Sequence, residues 1–130
     1  MSGRGVVLDT SVLVGYFRNK RGVVNRVEAL GEVYVPAIAV GELHFGAVVS
    51  AQTQANLAIL NRFLSLATIL DCTARTATYY AAIRAQLKGD GHPIPDNDIW
   101  IAAAALEDNL ALISTDQHFD YVKGLRHEKW

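Results

Sequence analysis

The chain has 130 residues, 51% of them hydrophobic and 19% charged, with a net charge of −1 and one cysteine. That composition fits one globular domain with a modest core and excludes a disordered chain, a disulfide framework and a strongly basic nucleic-acid binder. No apolar stretch is long enough to span a bilayer, and the apolar start carries Asp9 without a signal-peptide cleavage site, so a single cytoplasmic domain over residues 1–130 is expected.

Val6-Val7-Leu8 predicts a first strand closed by Asp9, with Thr10 or Ser11 capping a helix to about Arg18. In an open α/β sheet the carboxyl ends of the strands form the crevice where ligands sit, which puts Asp9 on its floor. Asn19 to Gly22 is a polar break. A short helix over 23–30 follows, ended by Gly31, and Val33–Val35 is a second strand closed by Pro36. From Ala37 to about Ser50 the pattern is helical, and Ile38, Glu42, Phe45 and Val49 share one face. A carboxylate on an apolar stripe must be paired, protonated or coordinated, because burying it alone costs roughly several kcal/mol. Gly41 and Gly46 on the same helix would let another backbone or a ligand approach closely.

Gln52–Ser65 predicts a further helix with Leu57, Leu60 and Leu64 inward, and Thr68–Leu70 a third strand. Thr73 caps a helix from Ala74 to about Lys88 whose buried side carries Tyr80, Ile83 and Leu87, and the glycines and prolines of 89–95 mark a loop. Asp96-Asn97-Asp98 opens a helix to Glu107. Asp96 is the natural cap there, while Asp98 lies on the inward face of Ile101, Ala102 and Ala105. After Asn109 ends that helix, Ala111–Ser114 is a fourth strand, followed by Asp116 at a second strand end. Asp116 would also serve as an N-cap for a turn over 117–120. The tail from Leu125 to Trp130 adds an edge strand. Alternating strands and helices imply a mostly parallel sheet covered on both faces.

Asp9, Glu42, Asp98 and Asp116 thus occupy positions from which they can meet. Four clustered carboxylates repel one another and need a divalent cation. Oxygen ligands without His or Cys favour magnesium or manganese over zinc, and such an ion clamps phosphate oxygens and activates water. If Asp96 joined the cluster, eight acids would remain elsewhere against twelve Lys and Arg, leaving an acidic pocket in a mildly basic surface suited to a polyanion. No P-loop is present. An aspartate-nucleophile phosphohydrolase would need a second acid two residues after Asp9, where Ser11 stands. A non-catalytic binding module on the same fold is the other alternative, against which the intact acidic set argues.

VVLDTSVLVGYF, VGELHFGA, PDNDIWIAAAAL and STDQHF, in that order, resemble a PIN domain, and within that family the VapC-type toxin ribonucleases of toxin–antitoxin pairs. The resemblance covers essentially the whole chain. It implies a three-layer α/β/α sandwich, a homodimer, and magnesium-dependent cleavage of RNA, with manganese able to substitute. It carries the catalytic and metal-binding roles onto Asp9, Glu42, Asp98 and Asp116, with Asp9 and Asp98 matching most firmly. Asp96 has no place in the pattern and is kept as a cap, with a second-metal role left open. A VapB-type antitoxin is implied as partner, seated in the apolar groove of the helical hairpin 37–65.

Overall fold

A computed structural model describes residues 5–130. Its strands β1 (Val6–Leu8), β2 (Val33–Pro36), β3 (Thr68–Leu70), β4 (Ala111–Ser114) and β5 (His127–Lys129) pair in the order β3-β2-β1-β4-β5, every neighbouring pair parallel. Parallel neighbours cannot be joined by hairpins, so longer connections are required. Helices α1 (Thr10–Phe17), α2 (Arg21–Glu28), α3 (Ala37–Val48), α4 (Thr53–Ser65), α5 (Ala74–Asp90) and α6 (Asp96–Glu107) lie along them. The central strands are accordingly covered on both faces: Val7, Leu8, Leu112 and Ile113 are at most 1% exposed. This is the expected α/β/α sandwich, with a wholly parallel sheet.

The strand order positions the site. From β1 the chain steps outward to β2 and β3, then returns through α5 and α6 to set β4 on the other side of β1. That reversal is a topological switch point, and the crevice beyond the carboxyl ends of β1 and β4 is where such sheets take ligands. Leu8 pairs with Ile113, and the Asp9 N–H donates to the Ile113 carbonyl at 3.0 Å, which brings Asp9 level with the end of β4. Because α6 leads into β4, its first turn stands at the same edge as the strand ends. Its buried alanines, Ala102 to Ala105, allow α6 to pack closely. Asn109 ends it in the left-handed region (φ 54°), as its position after the helix requires.

Several expectations shift. Asp9, not Thr10 or Ser11, caps α1: its side chain accepts from the Ser11 N–H. Helix α2 begins at Arg21 and ends at Glu28, so Gly22 lies inside it and Gly31 lies beyond its cap, Ala29. The buried face of α3 is Ala39, Leu43 and Ala47, whereas Phe45 and Val49, expected inward with Ile38 and Glu42, are 68% and 64% exposed. α3 is apolar nearly all round, and its contacts with α1, α4 and β2 select the smaller residues for the interior. Among the described residues, no atom beyond the local helix backbone lies within 4 Å of a Cβ built at Gly41 or Gly46, so neither serves a close contact there. Helix α5 runs on to Asp90 and ends at Gly91 in the left-handed region, which only glycine adopts without penalty. Pro95 takes the cap position of α6, and Asp96 is its first residue.

Candidate active site at the carboxyl edge of the sheet

Asp9 is 4% exposed, and every donor that reaches it among the described residues takes the same oxygen. Ser11 Oγ donates to Oδ2 at 2.7 Å, Ser114 Oγ at 3.0 Å and the Ser11 N–H at 3.4 Å. The second carboxylate oxygen is thereby left for a further positive partner. Ser114, wholly buried at the end of β4, also accepts the Asp116 N–H at 2.8 Å, so one hydroxyl joins both strand-end acids. The Thr115 N–H donates to Ser11 Oγ at 3.2 Å and closes this small network.

Asp116 caps a short 3₁₀ helix, Gln117–Tyr121, through Oδ1, which accepts the His118 N–H at 2.9 Å. That turn folds the His118 ring back over the edge. Its Nδ1 lies 3.1 Å from Asp116 Oδ2 and 3.1 Å from Asp98 Oδ2. Asp98, Asp116 and His118 form a set whose donor atoms all fall within 4.8 Å of one another. Glu42 stands at the rim, outside that set: Oε1 accepts from Thr10 Oγ1 at 2.5 Å and Oε2 from Asn97 Nδ2 at 3.2 Å. Thr10 adjoins Asp9 and Asn97 adjoins Asp98, so these bonds tie α3 to α1 and α6 around one opening. Asp96 points elsewhere. It accepts from Tyr80 Oη at 2.9 Å and pairs with Arg84 at 3.8 Å on α5, while Pro95 holds the cap position expected of it.

Among the described residues no Lys or Arg forms an ion pair with Asp9, Glu42, Asp98 or Asp116, and His118 is the one basic side chain paired with them. The electrostatic consequence falls on Asp98. Burial pushes its carboxyl above the ordinary value, the hydrogen bond from His118 acts against that, and the charges of Asp9 and Asp116 add to the rise. A carboxyl raised in the folded state favours folding in its protonated form. Its penalty is absent below the unfolded carboxyl range and accrues as pH climbs through the folded value. In EDTA, Asp98→Asn is therefore expected to gain melting temperature relative to the parent between pH 4 and pH 7. Both proteins are compared in a His118→Asn background, so that the difference between them reports on the carboxyl alone. A difference that shrinks as pH rises would contradict this account.

The residues that orient the acids, namely Thr10, Ser11, Asn97 and Ser114, were not singled out from the sequence as part of the site, and neither was His118. Their signal is adjacency: hydroxyl residues flank both strand-end acids in Asp9-Thr10-Ser11 and Ser114-Thr115-Asp116, and Asn97 precedes Asp98. The sequence pointed to oxygen ligands alone, and the fold sets the His118 ring beside two of those acids.

Residues 6–125 match the PIN domain family. A ribonuclease VapC2 of Haemophilus influenzae is 35% identical over 127 residues, covering 95% of this chain and 96% of that protein. A tRNA(fMet)-specific endonuclease VapC of Shigella flexneri is 32% identical with the same coverage. Among solved structures, a VapBC2 complex from Rickettsia felis bound to a DNA fragment from its promoter superposes with a TM-score of 0.90 at 28% identity, over 97% of this chain and 98% of that one.

Proposed function

The chain belongs to the PIN domain family, and from that premise we propose that it is the ribonuclease toxin of a VapBC-type pair, cleaving RNA at the acidic edge between β1 and β4. The observation that carries the reading is the meeting of Asp98 and Asp116 beside Asp9 with no Lys or Arg among their ion-pair partners in the described residues. A half-buried cluster of that kind fits a hard divalent cation.

Asp9, Asp98 and Asp116, with Glu42 at the rim, would hold magnesium, for which manganese can substitute. The bound ion supplies positive charge for phosphate oxygens and a water activated for in-line attack. The chain's own contribution is preorganisation. Ser11, Ser114, Thr10 and Asn97 fix one oxygen of Asp9 and both of Glu42, and the N-termini of α1 and α6 direct their positive ends at the same opening. Incubating tag-free protein without antitoxin with single-stranded RNA, structured RNA and a transfer RNA, in magnesium or in EDTA, tests the reading. Cleavage is expected in magnesium and not in EDTA, and cleavage undiminished by EDTA would refute the metal assignment.

The partner reading rests on the hairpin α3–α4. Its span 37–65 carries only Glu42, His44 and Arg62 as ionisable side chains, and Phe45, Val48, Val49 and Ile59 lie exposed on it. A cavity of about 350 Å³ opens between α1, α3 and α4, walled by Val14, Phe17, Leu43, Ala47, Ile59 and Leu60, with Glu42 at its border. A VapB-type antitoxin would lay an apolar helix there and direct a cationic side chain at the acids. The remaining apolar surface suits a second copy of the chain. Light scattering at roughly tens of micromolar is expected to give a dimer mass, and a monomer there would count against self-association.

A further inference from the structure

We propose that His118 is itself a metal ligand, binding through Nδ1, so that the site mixes one nitrogen with its carboxylate oxygens and holds Mn²⁺ in preference to Mg²⁺. This rests on the proposed function, since it concerns the same cation.

The geometry is the first ground. One ring nitrogen lies 3.1 Å from a carboxylate oxygen of Asp98 and 3.1 Å from one of Asp116. A ring N–H carries one proton and satisfies one of these acceptors well, so a hydrogen bond accounts for one of the two contacts. A cation about 2.1–2.2 Å from each of three adjacent ligands would separate those ligands by roughly 3 Å, the edge of an octahedron. The two nitrogen–oxygen separations have that length, and all three donor atoms lie within 4.8 Å.

The way the set is held is the second ground. Asp116 spends Oδ1 on capping the His118 N–H, which fixes its carboxylate and frees Oδ2 to face the ring. Phe119, wholly buried, anchors the same turn in the core, so the ring stands on a braced element. The ring is 40% exposed and Asp98 18%, so the set borders solvent.

Imidazole raises affinity for first-row metals such as manganese, while magnesium keeps to oxygen ligands. Removing the ring should therefore weaken Mn²⁺ by about tenfold or more and Mg²⁺ by less than about threefold.

The test loads tag-free protein with Mn²⁺ and records pulsed electron paramagnetic resonance, which detects nitrogen bound to the ion. Calorimetric titrations of Mn²⁺ and Mg²⁺ run in parallel, on the parent and on His118→Ala, with melting curves in EDTA to establish that the variant folds. Nitrogen modulation in the parent that shifts on ¹⁵N-histidine labelling and disappears in His118→Ala, together with loss of the Mn²⁺ preference, is the expected result. Stoichiometric Mn²⁺ binding without nitrogen modulation, or with modulation that survives the substitution, overturns this inference and leaves the acidic site standing. No binding of either ion overturns both. Should His118→Ala fail to fold, His118→Phe, which keeps a ring and removes its nitrogens, takes its place in the same measurements.

Discussion

Asp9→Asn is expected to lower magnesium-dependent RNA cleavage by roughly a thousandfold or more, about 4 kcal/mol of transition-state stabilisation, while leaving the fold intact. The three donors to Asp9 all converge on Oδ2. An amide oxygen in that place keeps every one of them, and asparagine caps a helix about as well as aspartate. What changes is the other oxygen, replaced by an amide nitrogen that repels a cation. The charge of Asp9 also raises the carboxyl of Asp98, so neutralising it relieves repulsion between the two. The melting temperature in EDTA should be unchanged or higher, and the further stabilisation by added magnesium should shrink. Asp9→Ala separates the two roles of this residue. It strands the hydroxyls of Ser11 and Ser114 as well as the cap, at a cost of about 1–3 kcal/mol, and should melt lower with or without metal. If Asp9→Asn melted much lower in EDTA yet still cleaved RNA with magnesium, the assignment of Asp9 as a ligand would fail.

Much of this was legible in the sequence where one physical signal dominated. Val6–Leu8 and Ala111–Ser114 are short apolar runs ended by polar residues, and each became a strand with the expected limits. Asp98 sits on a face of buried alanines and isoleucine, and a period of 3.6 suffices to aim it inward. Where two signals competed, the pattern did not decide. Helix α3 offers apolar residues on almost every side, so periodicity could not choose between Ile38-Phe45-Val49 and Ala39-Leu43-Ala47, and tertiary packing chose. Asp96 and Pro95 both suit a helix start. Proline took the cap position because its fixed φ (−57° here) fits the extended entry to the helix. His118 was illegible for another reason. Nothing two residues past Asp116 marks a ring for the site until the 3₁₀ turn reverses the chain, and that turn depends on Phe119 finding the core.

Phe119 therefore carries the second large effect. It is fully buried, meets the His127 ring on β5 edge-on at 5.6 Å, and lies one residue past His118 and three past Asp116. Phe119→Ala should cost about 3–5 kcal/mol through lost transfer energy and the cavity left behind, a large part of the 5–15 kcal/mol that about this size of domain has in total. If the side chain also holds the turn at the sheet edge, the damage extends further than stability. With the anchor gone, Gln117–Tyr121 can move away from β5, and Asp116 Oδ2 and His118 Nδ1 lose their fixed separation from Asp98. A displacement of about 1 Å at such a site can reduce rate by about a hundredfold. Cleavage measured well below the melting transition should thus fall by more than the unfolded fraction explains. Leu64→Ala is the control, because it empties a buried position on α4, a helix bearing none of the four acids. That variant should lose stability, about 2–5 kcal/mol, and retain its activity per folded molecule. Phe119→Leu, which keeps most of the buried volume, should recover much of both properties. Equal activity per folded molecule in Phe119→Ala and Leu64→Ala would show that Phe119 supports the core alone, and that the turn bearing Asp116 and His118 is held by the cap and the strand end without it.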